Sequence, residues 1–409
     1  MKLTIHRGTQ EIGGSCVQIA TENRSILLDA GLPLGESLSS VDLKKIYFSD
    51  VFISHPHQDH FGLIENIAAD KTVHIGETAR QFIAATRMFL GKTPLSNRFN
   101  ALNNRTWVDL EPHFRVMPYL MDHSCMDAFG FLVEADGKRL YYSGDFRAHG
   151  RRKKAFDWFL SDPPRDIDVL LMEGTMMGRG NASFADEEAV EQGMLEVLRT
   201  QDDRACFLVC SGQHIDRLCA AYRAAKRAGR VFVIDIYTAY VLRTAANRFP
   251  SLPDINSAKD IRVLTKGFTA KHHYLSVSEN REYFGTFARD IFNSETMITF
   301  DEIMSRPSRY LLKISNFNDL LERLDYCSVI YSMWAGYLDE KKYRDLKHHP
   351  KITFHEIHTS GHAVREDLCR LAAALKPKCL IPIHTEKADE YENIFENVTV
   401  LRDGETLEI

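Results

Sequence analysis

The sequence predicts an α/β protein in which one α/β unit interrupts another. Over 1–179, short apolar runs bounded by turn signals alternate with segments of helical apolar spacing. A second alternation of strand-like and helical segments starts near residue 180, and the chain returns to the first unit near residue 351. We therefore expect a first domain made of 1–179 and 351–409, interrupted by a second domain over 180–350. Mixed sheets covered by helices are expected in both.

The first domain is predicted to contain short strands, two helices and a hairpin. Turn signals at 12–15 and 22–24 separate the first three strands, and the turn at 135–138 joins two strands into the hairpin. The predicted elements before the interruption are strands at 3–5, 16–19, 25–28, 51–53, 129–133, 139–142 and 167–175, and helices at 61–69 and 78–90. Those after it are strands at 352–354, 398–401 and 406–409 and a helix at 386–396.

The interrupting domain is predicted to be built from βαβ units with a parallel sheet. Ser183 and Asp186 stand at the spacing of a capping box, which predicts a helix from there to about residue 199. Buried-strand runs at 206–210 and 231–234 alternate with helical segments at 214–228 and 236–248.

The most informative segment of the first domain follows the apolar run 51–53. It carries four metal-competent side chains within six residues, namely His55, His57, Asp59 and His60. Neutral imidazoles and a carboxylate are the ligands that zinc prefers, and a strand that ends in a tight loop can aim several of them at one point. The alternative interpretation is four solvated polar residues in a loop, but this spacing is rare by chance.

Three further residues of the same types also stand at strand ends. His123, Asp145 and His384 each follow an apolar, strand-like run. Open α/β sheets place their ligands at the carboxyl ends of strands. Taken alone, a histidine after a strand is more often a satisfied structural residue, so the prediction depends on all three standing behind the first motif.

The H-x-H-x-D-H pattern resembles the signature of the metallo-β-lactamase-fold hydrolases, which implies an αββα sandwich with an inserted β-CASP α/β domain. The resemblance implies two divalent ions, with zinc expected and manganese left open. One ion would be held by His55, His57 and His123, the other by Asp59, His60 and His384, with Asp145 between them. Asp29 matches an aspartate of the family that shapes the surroundings of the ligands; a turn residue at the strand end is the alternative.

The interrupted layout resembles the β-CASP nucleases, and ribonuclease J in particular. Glu173 fits the family motif with a carboxylate that orients a metal-bound histidine, and His362 fits the histidine motif within 358–363. His384 fits a third motif, in which RNA-directed members carry histidine and DNA-directed members tend to carry valine. The segment 211–217 also resembles the inserted domain of ribonuclease J. Because the sequence ends shortly after His384, the C-terminal domain of ribonuclease J is expected to be absent.

The resemblance implies a zinc-dependent ribonuclease in which a hydroxide activated by two metals hydrolyses RNA phosphodiester bonds. Asp59, Glu173 and His362 are the predicted catalytic residues, and His362 would protonate or neutralise the leaving oxygen. His358, Ser360 and His362 are the predicted substrate-binding residues, the first two with local amides holding a phosphate. Exonucleolytic and endonucleolytic action both stay open.

Charge and composition bear on the partners. The net charge of −5 excludes a globally basic nucleic-acid binder, so contact with single-stranded RNA would fall to local basic clusters, of which Arg147 with 151–154 is the best candidate. Trp334 is a candidate for stacking on a base. The eight scattered cysteines predict neither disulfides nor a thiolate zinc site, which fits a reducing cytoplasm. No signal peptide or membrane span is expected.

Two other classes of function and the oligomeric state stay open. The first alternative is a metallohydrolase acting on DNA or on a small phosphodiester or ester. The second is a non-catalytic RNA-binding relative, against which the complete ligand set argues. A homo-oligomer is also left open.

Overall fold

The computed structural model describes the chain except residues 35–39, 112, 181–182, 202, 266–267, 294 and 315–317. By its contacts the chain divides into two compact units. The first unit comprises Met1–Arg80, Leu95–Asn181 and Gly361–Ile409, and the second comprises Gln81–Pro94 and Ala182–Ser360. The domain borders at 180 and 351 stay a prediction beside these units.

Strands and helices alternate along both units. In chain order the strands are β1 (Lys2–Arg7), β2 (Cys16–Ala20), β3 (Ser25–Leu28), β4 (Asp50–Phe52), β5 (Thr72–Ile75), β6 (Arg98–Ala101), β7 (Val108–Glu111), β8 (Phe114–Leu120), β9 (Phe129–Ala135), β10 (Lys138–Tyr142), β11 (Val169–Glu173), β12 (Ala205–Val209), β13 (Val231–Asp235), β14 (Ile261–Leu264), β15 (Met297–Ile298), β16 (Tyr310–Lys313), β17 (Cys327–Tyr331), β18 (Ile352–Glu356), β19 (Cys379–Ile383) and β20 (Thr406–Glu408). The α-helices are α1 (Gln58–Phe61), α2 (Glu77–Phe89), α3 (Lys153–Ser161), α4 (Glu187–Thr200), α5 (Ile215–Arg227), α6 (Ile236–Arg248), α7 (Phe268–Glu279), α8 (Arg281–Phe284), α9 (Thr286–Asp290), α10 (Phe300–Ser305), α11 (Asn318–Arg323), α12 (Lys341–Lys347) and α13 (Arg365–Leu375). Short 3-10 helices lie at Leu43–Lys45, Ile64–Asn66, Pro307–Arg309, Ala335–Asp339 and Ala388–Asn393.

The first unit is a sandwich of two facing sheets. One sheet has the order β20-β1-β2-β3-β4-β5-β6, and the other has the order β19-β11-β10-β9-β8-β7. A continuous core joins their inner faces, with Leu28 and Phe52 from the first sheet and Phe131 and Leu171 from the second. Burying one such side chain contributes about 1.5–3 kcal/mol. The sandwich predicted by the resemblance is therefore the fold of this unit.

Helices cover the outer face of the second sheet. Successive side chains of its strands point to opposite faces, so apolar side chains stand on both faces. In β11, Leu171 points into the core between the sheets, whereas Leu170 belongs to a second cluster on the other face. Phe156 of α3 and Leu368 and Leu371 of α13 pack in that second cluster. The continuous apolar run of β11 thus serves two cores, as expected for a strand buried on both faces.

The second unit is an α/β unit around a parallel sheet of order β15-β14-β13-β16-β12-β17-β18. This confirms the parallel sheet predicted for the interrupting segment. The predicted capping residue of α4 is wrong: the N-cap is Asp186, whose side chain accepts from the backbone N–H groups of Glu188 and Ala189. Asp186 is the N-cap because its carboxylate accepts hydrogen bonds from two N–H groups that would otherwise be unsatisfied.

Three other predicted elements differ from the structure. In place of the helix predicted at 61–69, the chain forms α1, which begins earlier at Gln58 and ends at Phe61, followed by the 3-10 turn Ile64–Asn66. A Cβ at Gly62 would lie 2.4 Å from the carbonyl oxygen of Gln58, so only glycine fits this turn. The segment predicted as a helix at 386–396 forms only the 3-10 helix Ala388–Asn393. The strand predicted at 398–401 is reduced to a single bridge between Leu380 and Val398.

Two predictions about composition can be compared directly with the structure. All eight cysteines are free, as predicted. Within the described parts of the chain, no helix combines the length and the apolar character needed to cross a membrane.

Candidate active site

The predicted metal ligands come together at the carboxyl ends of strands in the first unit. The loop after β4 carries His55 and His57, and α1, which follows directly, carries Asp59 and His60. The remaining ligands each follow a strand of the second sheet, namely His123 after β8, Asp145 after β10 and His384 after β19. The sheets themselves therefore bring distant parts of the sequence to one edge.

Three histidine nitrogens converge at the first half of this cluster. The Nδ1 atom of His57 lies 3.1 Å from Nε2 of His55 and 3.2 Å from Nε2 of His123. Three nitrogens bound to one tetrahedral zinc ion at 2.0–2.1 Å would lie about 3.3 Å apart. The observed separations fit that spacing.

Contacts on the far side of the ring set the tautomer of His123 and hold the ring of His55. Nδ1 of His123 lies 2.5 Å from the carbonyl oxygen of Gly361 and must donate to it, which leaves Nε2 as the lone-pair nitrogen. Nδ1 of His55 lies 3.0 Å from the hydroxyl of Ser54. Burial lowers the pKa of His55 and His123, and the neighbouring histidines lower it further. Burial also lowers the pKa of His57, to about 4. All three rings are therefore neutral near pH 7, as metal ligation requires.

The second half of the cluster combines two carboxylates with two histidines. Nε2 of His384 lies 3.2 Å from Oδ2 of Asp59, and Nε2 of His60 lies 3.2 Å from Oδ2 of Asp145. The same Asp145 oxygen lies 3.6 Å from Nε2 of His55 in the triad. Asp145 thus stands between the two halves, in the place that a bridging ligand would take.

The polar atoms at the centre of the cluster lack other partners. Among the described residues, Nε2 of His60 and both carboxylate oxygens of Asp145 are buried without a hydrogen bond of acceptable geometry. Buried polar groups are nearly always satisfied, so such a group needs an explanation such as a bound ion. Imidazole nitrogens and carboxylate oxygens converging on one space are donors for divalent metal ions. The residues therefore fit divalent metal binding.

Asp29 is bonded to the ligand shell at the end of β3. Its Oδ2 lies 2.7 Å from Nδ1 of His60, and its two oxygens also accept from the backbone N–H and the hydroxyl of Ser54. The Tyr142 hydroxyl donates to Oδ2 as well, at 2.7 Å. The bond to Asp29 directs Nε2 of His60 into the cluster. Asp29 also lies just after β3 in left-handed backbone, with a φ of 62°.

Asp29→Asn is expected to lower metal affinity by about 10–100-fold, the usual cost of losing a partner that orients a ligand. An amide has only one acceptor oxygen, so it cannot accept from both the backbone N–H of Ser54 and Nδ1 of His60, and the hold on the His60 ring is weakened. Titration of the metal-free protein with zinc against a chelating dye measures the change. The matched control is Asp50→Asn, since Asp50 forms an equally buried pair with His74 at 2.9 Å, outside the cluster. Equal zinc affinity in both variants would show that Asp29 does not orient a ligand.

Glu173 and His362 form the third part of the cluster. Nδ1 of His362 lies 3.3 Å from Oε1 of Glu173 and 3.6 Å from Oδ2 of Asp145. Glu173 is fixed at the end of β11 because its carboxylate accepts from the backbone N–H groups of Phe146 and Thr175. Burial alone would lower the pKa of His362, but Glu173 and Asp145 outweigh it and raise the pKa to about 9. Glu173 therefore holds His362 beside the predicted ligands, whereas its role in orienting a metal-bound histidine stays a prediction.

The other predicted substrate residues lie outside this cluster. His358 and Ser360 belong to the second unit, and their role in binding a phosphate stays a prediction. Trp334, also of the second unit, is 43% exposed and has an edge-on contact with Tyr337. Its stacking on a base likewise stays a prediction.

The predicted basic cluster at 147–154 divides into two parts. Arg147 is fully buried, and the guanidinium of Arg152 donates to the carbonyl oxygens of His123 and Cys125. These two side chains support the loop that carries His123. Lys153 and Lys154 are exposed at the start of α3 and are the ones that could meet a phosphate backbone.

One member of the cluster was not predicted from the sequence. The buried thiol of Cys125 lies within 4.8 Å of the ligand atoms of the histidine triad. Only its position two residues after His123 could have drawn attention to it, and that spacing alone indicates no chemistry.

Two protein families match parts of the chain. Residues 350–395 match the family described as Zn-dependent metallo-hydrolase RNA specificity domain. Residues 13–125 match the family described as Anti-Pycsar protein Apyc1. The second match spans the stretch from His55 to His123.

Several proteins of known name are similar in sequence. Ribonuclease J of Mycoplasma genitalium is 23% identical over 94% of this chain and 68% of its own length. Probable RNase MJ4 of Methanocaldococcus jannaschii is 27% identical over 49% of this chain and 50% of its own length. Cleavage and polyadenylation specificity factor 73 of Drosophila melanogaster is 28% identical over 41% of this chain and 27% of its own length. The chain thus spans between about a quarter and two thirds of these relatives.

A solved structure confirms the fold along the whole chain. The crystal structure of a protein of unknown function from Enterococcus faecalis V583 superposes with a TM-score of 0.80 and covers 99% of both chains. At 20% sequence identity, this likeness concerns the fold alone.

Proposed function

Because this chain is a ribonuclease J-like member of the β-CASP branch of the metallo-β-lactamase superfamily, we propose that it is a zinc-dependent ribonuclease. The observation that carries the proposal is the cluster itself, in which a shared carboxylate, Asp145, stands between three histidines and a second group of ligands. The reaction would be hydrolysis of RNA phosphodiester bonds.

Each half of the cluster would hold one divalent ion. His55, His57 and His123 would bind the first, Asp59, His60 and His384 the second, and Asp145 would contact both. Two such ions would clamp the attacking and leaving oxygens of the phosphodiester and acidify the attacking water. The carboxylates of Asp59 and Asp145 would balance part of the positive charge.

His362 would handle the leaving group. Its ring is held by Glu173 at 3.3 Å and lies beside Asp145, so it stands next to the predicted ligands without a place in either set. A histidine there can donate a proton to the leaving oxygen or stabilise its developing charge. Glu173 acts through His362 by fixing the orientation of the ring.

RNA is favoured as the substrate by three observations. The family matched at 350–395 is named for RNA specificity, relatives that match most of the chain are named as ribonucleases, and His384 has the residue type of RNA-directed family members. The RNA is proposed to be single-stranded, and with a net charge of −5 on the chain only local basic patches would meet its phosphates. His358 and Ser360 would bind one phosphate of the strand.

The test is a time course on end-labelled single-stranded RNA with a 5′-monophosphate, in zinc or in manganese, beside 5′-hydroxyl RNA and DNA of the same sequence. Mononucleotides released from the 5′ end would show exonucleolytic action, and internal cuts would show endonucleolytic action. Cleavage of bis(p-nitrophenyl) phosphate without cleavage of any RNA would contradict the proposal and favour a small-molecule phosphodiesterase. Cleavage of DNA alone would also contradict it.

A further inference from the structure

A buried arginine of the second unit organises the loop that carries His358. Arg217 lies in the first turn of α5 and is fully buried. Its guanidinium forms a two-pronged pair with Glu187, at 3.2 Å and 3.1 Å. It also donates to the carbonyl oxygens of Ser332 and Thr359, at 3.0 Å and 3.3 Å. A buried charge is stable only when it is paired and bonded in this way.

The guanidinium also donates to the hydroxyl of Ser332 and contacts His358. Nη1 of Arg217 lies 3.1 Å from Nδ1 of His358. An arginine has five N–H donors and no acceptor, so the Nδ1 atom of His358 must accept this hydrogen bond. Because a neutral imidazole carries one proton, that proton then sits on Nε2.

The surroundings of Arg217 hold this arrangement in place. Glu187 belongs to α4 and is itself buried, Ser332 follows β17, and Thr359 follows His358 in the chain. A guanidinium bound on several sides cannot rotate away from the imidazole without breaking the buried pair with Glu187. The ring of His358 is half-buried, so its edges are not all packed into the core.

We propose that Arg217 is a positioning residue that fixes His358 as a hydrogen-bond donor through Nε2, so that His358 binds a phosphate oxygen of the RNA by donation. The choice of RNA as the substrate rests on the proposed function, whereas the tautomer of His358 rests on its contact with Arg217. The proposal gives the segment 211–217 a role in substrate recognition. Arg217 of this segment decides which ring nitrogen of His358, 141 residues further along the chain, donates a hydrogen bond.

Two substitutions of His358 separate its two nitrogens without disturbing Arg217. In His358→Gln the side-chain amide reaches the position of Nε2 and keeps a donor there, whereas the shorter amide of His358→Asn reaches only the position of Nδ1. We expect the asparagine variant to raise the KM for single-stranded RNA by roughly 10–100-fold, as for the loss of a hydrogen bond to a charged group, and the glutamine variant to stay within a few-fold of wild type. The kcat of both should change little. Equal KM values for the two variants would overturn the contact through Nε2.

A spectroscopic measurement tests the tautomer independently of cleavage. Ring nitrogen shifts from 15N-labelled protein, assigned to His358 by comparison with His358→Gln, are expected to show an unprotonated Nδ1 and a protonated Nε2 at pH 7. In Arg217→Lys, which keeps the charge but loses the planar fork, a mixture of both tautomers is expected. A protonated Nδ1 in wild type would overturn the role of Arg217. If wild type cleaved no RNA, the proposed function would fail, while the ring nitrogens would still decide whether Arg217 sets the tautomer.

Discussion

Asp145→Asn is expected to abolish metal-dependent cleavage while the chain stays folded. Asp145 is the one predicted ligand that stands between the two halves of the cluster, 3.6 Å from a nitrogen of His55 and 3.2 Å from a nitrogen of His60. An amide has the same shape but neither the charge nor two acceptor oxygens. We expect the rate to fall by more than about 10³-fold, well beyond the 10–100-fold that loss of an outer partner costs.

Two measurements separate loss of metal from loss of fold. Zinc is expected to raise the melting temperature of wild type, because a ligand that binds only the folded chain stabilises it, and to raise that of Asp145→Asn far less. Asp50→Asn, which changes an equally buried carboxylate at the start of β4, should keep the zinc-dependent shift and the activity. Removal of metal from wild type with a chelator should reproduce the loss of activity. Wild-type rates in Asp145→Asn would rule out the shared site.

His362→Ala is expected to lower kcat by about 10²–10⁴-fold, the usual contribution of a general acid or base, with a smaller change in KM. The ring lies beside Asp145 but is not needed to complete either set of ligands, so zinc binding should persist. Single-turnover cleavage of labelled RNA measures the chemical step directly.

A matched control for His362 exists on β18. His355 is a partly buried histidine of the second unit, and replacing it by alanine should leave kcat unchanged. Glu173→Gln should lower kcat less than His362→Ala, because the amide oxygen can still accept from the ring. If His362→Ala changed KM alone, the residue would bind substrate and would not take part in the chemical step.

The sequence was sufficient to predict which metal-competent side chains come together, because their positions follow from local pattern. A strand followed at once by His55-Pro56-His57 is recognisable without any knowledge of tertiary contacts. The same applies to Asp145, which ends a hairpin. Elements whose form depends on single contacts were less predictable. The helix expected from residue 61 is absent because α1 ends before Gly62, where a side chain would collide with the Gln58 carbonyl oxygen, and no periodicity could indicate this.

The function of the charged residues depended most on tertiary structure. Arg147 and Arg152 were predicted as part of a basic cluster that contacts RNA, yet the first is buried and the second bonds the carbonyl oxygen of His123. For Arg217, the structure shows a contact that was not predicted, because nothing in the segment 211–217 indicates that its side chain reaches His358. In both cases the guanidinium is long enough to bond groups far away in sequence, so its partner is decided by the fold.

The left-handed backbone at Asp29 and His384 has a consequence for any attempt to make this protein more robust. The two φ angles are 62° and 54°, in a region that costs a residue with a side chain of the order of 1–3 kcal/mol. Glycine would remove that strain, but at Asp29 it would also leave the Tyr142 hydroxyl and the backbone N–H of Ser54 buried without their acceptor, at about 1–3 kcal/mol for each group. A library screened only for heat resistance is therefore expected to retain Asp29, although such a screen never asks for activity.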